Sequence, residues 1–378
     1  MKAVRTIAIF YVTVGYGHRR AAFALRAALK RLNPEVRVIC LDIFELWPAW
    51  IGRALVNGYR GFIRLLPGVW GYVYDHRGIK RRFSRILVSI YRLCRKRIGM
   101  LLEELEPAAA VSTQAFPAGL LSVYKKECNP TVLLVAVPTD FTVHSYWIDE
   151  TVDRYLLPCE ESREKVIARG VPPARTRVTG IPVDSKFDRT RQGDLIKSKY
   201  GLAPDLPVVL LMGGGEGTIR LEQLIRALDQ RREQFQMAAL SGRNLKEYAR
   251  LKKLLPELRH PLKIFGFIDR VEELMEAGEV IVTKPGGLTV AEVLVRKRPL
   301  VLVDPLPGQE ELNARFLVEK GAALRAGDNR RASEAVGRLL GDSVLREHLI
   351  ESMGEIARPR SAEAAARCIM ELVERSDD

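Results

Sequence analysis

The densest set of ligand-binding residue types in this chain of 378 residues lies between Lys284 and Asn313. A short apolar run, Val280 to Thr283, leads into Lys284-Pro285-Gly286-Gly287-Leu288-Thr289-Val290-Ala291-Glu292, whose second half has helical periodicity. Strand, glycine turn and helix in that order bring backbone close to a ligand and aim open N–H groups and a positive dipole end at phosphate oxygens. Thr289 falls in the first turn of that helix, and Glu292 can accept hydrogen bonds from two adjacent sugar hydroxyls. After a second apolar run, Pro299 to Val303, come Gln309, Glu310 and Asn313, amide and carboxylate groups suited to neutral hydroxyls. Gly286-Gly287 alone fits any βαβ unit, and the full stretch is far more specific.

A similar arrangement opens the chain. Thr6 to Val14 reads as a buried strand, Gly15-Tyr16-Gly17-His18 as a turn and Ala21 to Leu32 as a helix. Open α/β sheets bind ligands at the carboxyl edge, which makes His18 a candidate base, although a His at a helix start also serves as a cap or core residue. A carboxylate stands in Pro138-Thr139-Asp140-Phe141, after the apolar strand Thr131 to Val137. Asp140 can orient a histidine, act as the base itself, or cap the following turn. Val208 to Met212 runs into a third glycine turn, Gly213-Gly214-Gly215-Glu216-Gly217-Thr218, which lacks the Gly-Lys-Ser/Thr ending of a P-loop and is suited to wrapping a diphosphate.

The stretch from Lys284 to Asn313 resembles the donor-binding motif of glycosyltransferases with the GT-B fold. That group holds monogalactosyldiacylglycerol synthase, the processive diacylglycerol glucosyltransferases and the transferase that completes lipid II. The glycine turn ending in His18 and the Thr139-Asp140-Phe141 run followed by His144 and Trp147 are similar to the lipid glycosyltransferases too, so the resemblance covers nearly the whole chain. Tyr16 departs from the commoner small residue, and either narrows the acceptor cleft or stacks on the acceptor.

The fold so implied is α/β, two facing Rossmann-like parallel-sheet domains with a cleft between them. Residues 1–185 would form an acceptor- and membrane-binding domain, 186–355 a UDP-sugar-binding domain, and 356–378 a helix crossing back to the first. The implied activity is inverting transfer of a hexose from a UDP-sugar to diacylglycerol or a glycosyldiacylglycerol. His18 would be the base, with Asp140 orienting it or competing for the role. Phe267 and Ile268 would lie against uracil, and Gly214, Gly215, Gly286 and Gly287 around the diphosphate. No Asp-x-Asp stands where Mg²⁺ could bridge protein and diphosphate, so neither a metal nor another cofactor is expected, and helix N-termini and cations are left to neutralise the leaving group. The alternatives are a lipid II-type transferase, a UDP-sugar 2-epimerase, or a non-catalytic basic protein binding membrane or RNA.

A composition of 47% hydrophobic and 28% charged residues suits two α/β domains. The formal charge is +14, and much of the excess lies between Trp47 and Arg97, where Asp75 is the single acidic residue. Trp47, Trp50 and Trp70 are interleaved there with cations that include Arg81, Arg82, Arg95 and Arg97. Such interleaving fits single-stranded nucleic acid, a bilayer headgroup layer or solvated amphipathic helices. No RNA-binding motif accompanies it, and the matching region of the lipid glycosyltransferases faces the membrane, so an anionic membrane surface is the expected partner and nucleic acid is not. No run reaches the roughly 18 apolar residues of a membrane span, and no cleavage site follows Thr6 to Val14, which together predict a cytoplasmic protein peripheral on the inner face of the membrane. The cysteines Cys40, Cys94, Cys128, Cys159 and Cys368 lack CxxC spacing, so they are expected reduced and mostly buried.

Overall fold

The computed structural model describes residues 5–13, 16–46, 91, 96–189, 193–214 and 221–376. Trp47, Trp50, Trp70, Arg81, Arg82, Arg95 and Gly215 lie outside the described residues. The chain divides into two units, the first made of Met1–Ser185, Pro307–Gln309 and Arg358–Asp378, the second of Lys186–Leu306 and Glu310–Ala357.

The first unit is built on a parallel sheet in the order β2-β1-β3-β4-β5-β6. Its strands are β1 (Thr6–Tyr11), β2 (Arg37–Asp42), β3 (Ala109–Ser112), β4 (Leu133–Ala136), β5 (Arg154–Leu157) and β6 (Thr176–Val178). All six residues of β1 and all four of β3 are buried. A strand covered on both faces favours apolar residues at nearly every position, which is why these segments read as near-continuous runs without alternation, with Thr6 and Ser112 at their ends. Helix α1 (Tyr16–Leu32) returns from β1 to β2, burying Ala21, Ala22, Leu25, Ala28 and Leu29. The C-terminal helix, Ser361–Arg375, packs along α1 through Ala362, Ala365, Ala366, Ile369 and Met370. Alanines on both partners allow a close approach. Its start is fixed by the Val183 N–H, which donates to Ser361 Oγ at 3.0 Å, and by Gly180, where φ is +85° and a Cβ would lie 2.5 Å from that of Arg358.

The second unit carries a parallel sheet in the order β12-β11-β10-β7-β8-β9. Its strands are β7 (Val208–Met212), β8 (Gln236–Leu240), β9 (Leu262–Phe265), β10 (Val280–Thr283), β11 (Leu300–Leu302) and β12 (Leu324–Arg325). Each sheet reverses its direction of winding once, between β1 and β3 in the first unit and between β7 and β10 in the second. Ligands of open α/β sheets bind outside the strand ends at such reversals.

Several elements differ from the sequence reading. Thr113 to Gly119 reads from sequence as a loop after a short strand, but the chain enters helix α2 (Ala115–Glu127) there, because the Gln114 side chain caps it by accepting from the Phe116 N–H at 2.5 Å. Pro117, near the helix start, needs no N–H there. The first strand ends at Tyr11 rather than Val14. Lys263 to Phe267 reads from sequence as a strand, but β9 stops at Phe265 and Phe267 lies beyond it. Among the described cysteines Cys159 is buried, Cys40 and Cys368 are half-buried and Cys128 is exposed. No helix among the described residues is long and apolar enough to cross a membrane.

Candidate active site

At the reversal in the first sheet, the ends of three neighbouring strands converge on one imidazole. His18 stands in the first turn of α1, after β1; Thr113 follows β3; Thr139 follows β4. The Thr113 N–H is pinned to the Phe10 carbonyl at 3.0 Å and the Val137 N–H to the Ser112 carbonyl at 2.8 Å, so these loops inherit the register of the strands. His18 Nδ1 lies 3.1 Å from the Thr113 carbonyl oxygen and 2.7 Å from Thr139 Oγ1. The Thr113 hydroxyl in turn donates to the His18 carbonyl at 3.1 Å.

Burial pushes the His18 pKa below its ordinary value, against the opposing influence of the Asp140 carboxylate and the Thr113 carbonyl. The ring is therefore neutral near pH 7 and able to accept a proton. Asp140 is half-buried next to Thr139 and acts on the ring through its charge. The first turn of α1 carries no acidic residue, and Arg19 stands beside the helix dipole's positive end. Tyr16 is half-buried as the first residue of the helix. His144 caps the turn Ser145–Trp147, accepting from the Tyr146 N–H at 3.3 Å, and is buried against Trp147.

The reversal in the second sheet is lined by backbone instead. Gly214, after β7, has φ +79°, and a Cβ added there would meet nothing within 4 Å. Gly286, after β10, also faces open space, and serves as the N-cap of helix α3 (Gly287–Arg296). The first helical bond runs from the Val290 N–H to the Gly286 carbonyl at 3.0 Å, so the N–H groups of Gly287, Leu288 and Thr289 have no intrahelical acceptor. Together with the helix dipole they form an anion cradle. Glu292 is buried one turn further on.

The residues after β11 brace this cradle. Buried Asn313, on helix α4 (Gln309–Glu319), donates from Nδ2 to the Pro285 carbonyl at 3.1 Å, and Glu310 accepts from the Leu306 N–H at 2.8 Å. Both were expected to meet sugar hydroxyls; the structure gives each at least one structural bond as well. Gln309 is half-buried at the start of α4. Arg296, at the far end of α3, is buried with an ion pair to Glu276 at 2.8 Å and a bond to the Phe187 carbonyl at 3.2 Å, anchoring the helix that carries Glu292.

At the end of β9, Phe267 is 53% exposed, with the Arg243 guanidinium 4.7 Å above its ring. An exposed aromatic face backed by a cation is a stacking platform for a planar ring. Ile268 beside it is half-buried. The sequence reading passed over Arg243, Thr113 and Thr139. The available signal was their position immediately after strand ends at the edge that binds ligands. Of the basic and aromatic set, Arg97 lies within the described residues and is exposed. Among the described residues no group of three or more His, Cys, Asp or Glu side chains is placed to hold a metal ion.

Comparison with known proteins bears on the family and the fold. The model of the monogalactosyldiacylglycerol (MGDG) synthase family matches residues 18–183, and that of the glycosyltransferase family 28 C-terminal domain matches residues 208–368. A processive diacylglycerol beta-glucosyltransferase of Bacillus pumilus (strain SAFR-032) is 31% identical, with coverage of 100% of this chain and 97% of the relative. Among solved structures, the Staphylococcus aureus MnaA–UDP complex superposes with a TM-score of 0.65 at 14% identity over 98% of this chain and 97% of that one. Acinetobacter baumannii MurG gives 0.61, also at 14% identity, over 98% and 99%. At that identity the structural likeness speaks for the fold alone, which is GT-B.

Proposed function

This chain belongs to the family of the processive diacylglycerol beta-glucosyltransferases, with which it aligns end to end, and from that membership we propose that it transfers a hexose, with inversion, from a UDP-sugar to diacylglycerol or a glycosyldiacylglycerol. The observation that carries this reading is the pairing of two chemistries at two sheet reversals: a neutral imidazole held at Nδ1 in one, and an open glycine-lined anion cradle in the other.

In the reaction, the acceptor hydroxyl gives its proton to His18 as its oxygen bonds to the anomeric carbon, and the bond from that carbon to the diphosphate breaks on the opposite face. Negative charge grows on the departing UDP. We assign the open N–H groups of Gly287, Leu288 and Thr289 at the start of α3 to that charge; donors fixed before the reaction favour the transition state over the ground state. We assign Phe267 and Ile268 to the base, Glu292 to the ribose, Thr289 and the glycines to the diphosphate, and Gln309 with its neighbours Glu310 and Asn313 to the hexose. Asp140 supports the protonated imidazole as it forms. No metal is given a role in these assignments.

The basic and aromatic residues from Trp47 to Arg97 are assigned to adsorption on an anionic membrane. Each Lys or Arg near such a surface contributes about 1 kcal/mol, screened by salt.

Incubation with labelled UDP-glucose or UDP-galactose and diacylglycerol vesicles tests the proposal. One of the two donors should yield a labelled glycolipid and free UDP. UDP release without lipid, or no lipid product from either donor, would overturn it.

A further inference from the structure

We infer that the Thr139 hydroxyl, together with the Thr113 carbonyl, clamps the Nδ1–H tautomer of His18, so that a threonine positions the general base where catalytic histidines commonly use a carboxylate. The Thr113 carbonyl 3.1 Å from Nδ1 can only accept. A lone pair on Nδ1 would face it with repulsion, so the neutral ring carries its proton there. Thr139 Oγ1, 2.7 Å from the same nitrogen, then accepts the second branch of that N–H. With the proton fixed on Nδ1, Nε2 holds the lone pair, and Nε2 takes the acceptor's proton.

Thr139 is 4% exposed and Thr113 fully buried, so both acceptors of the Nδ1–H are shielded from water. Both threonines sit at the ends of buried parallel strands, β4 and β3, whose register fixes them to within the play of a few hydrogen bonds. Once Nε2 is protonated, the Nδ1–H becomes a donor from a cation, and its two acceptors strengthen when charge appears. Among the described residues, the charge that acts on the ring is that of Asp140, next to Thr139 in the chain. Thr139 holds the ring's orientation and Asp140 supplies the field.

This inference rests on His18 being the base, and the test separates the two ideas. Nitrogen-15 NMR of the whole protein, with His18→Ala to assign the signal, reads the tautomer without any turnover. The wild type should show a protonated Nδ1 in the neutral ring. In Thr139→Val the kcat should fall about tenfold, the rate equivalent of one hydrogen bond to the charged ring, with KM for the UDP-sugar unchanged and the acid limb of the pH profile moved to lower pH. Thr139→Ser should restore all three. An Nε2–H tautomer in the wild type, or Thr139→Val with wild-type kcat and pH profile while His18→Ala is inactive, would overturn the clamp. Full activity in His18→Ala would overturn the base assignment itself, and the tautomer would still stand or fall by NMR.

Discussion

The carboxyl edges of the two sheets solve opposite problems with the same topology. At the reversal between β1 and β3, the space after the strands is taken by a side chain whose ring is tied to two neighbouring loops. Between β7 and β10 the equivalent space is left open by Gly214 and Gly286. A general base must hold one nitrogen and one orientation before the substrate arrives, and only a side chain packed against several strand ends can do that. A diphosphate is met best by many weak, fixed dipoles, and any Cβ at those positions would stand in its way. Tethered side chain against bare backbone is thus the structural form of acid–base work against charge stabilisation.

The sharpest way to break the comparison is His18→Ala. Turnover should drop roughly a hundredfold to ten-thousandfold, the range of a positioned base, while UDP affinity measured by calorimetry stays within error because the glycine turns belong to the other unit. If Asp140 acts only through His18, adding Asp140→Asn to this variant should cost little more.

Glu292→Ala should come next. Losing its bonds to the ribose should weaken UDP binding by about 1.5 to 3 kcal/mol per bond to the charged group. Calorimetry with UDP reads it, and unchanged affinity would put the ribose elsewhere.

Gly286→Ala and Gly214→Ala form a pair with different signatures. At Gly286 φ is −68° and the space beside it is open, so alanine should leave the melting temperature nearly unchanged yet weaken UDP binding by crowding the diphosphate. At Gly214, with φ +79°, alanine should also lower stability, by about 1 to 2 kcal/mol for a left-handed residue. Equal UDP affinity in wild type and Gly286→Ala would mean that no ligand enters that space.

The smallest effect is a shift in pH dependence. Burial lowers the His18 pKa, so the acid limb of kcat/KM should lie below about pH 6.5, the ordinary imidazole value. The Asp140 carboxylate raises that pKa, so Asp140→Asn should move the limb to still lower pH. A limb that stays in place would remove Asp140 from the ring's electrostatics.

Much of this protein was legible in its sequence. The near-continuous apolar runs named the buried parallel strands, because a strand covered on both faces has little room for polar positions. Val208 to Met212 and Val280 to Thr283 were read with the ends they have in the structure. The glycine turns named the edge where ligands bind, because few other residues leave backbone so accessible. His18 was legible for the same reason, as a polar group at the end of such a strand. What the sequence could not supply was the partner of each group. Asp140 drew attention as the charged residue, yet Thr139 and Thr113 touch the ring, residues separated from His18 by 121 and 95 positions and joined to it only by the order of strands in the sheet. Asn313 was read as a ligand group, while tertiary packing also made it a brace for Pro285. Local spacing determines which backbone is apolar, turning or helical; which side chains meet is decided by strand order and register, and those are properties of the folded sheet.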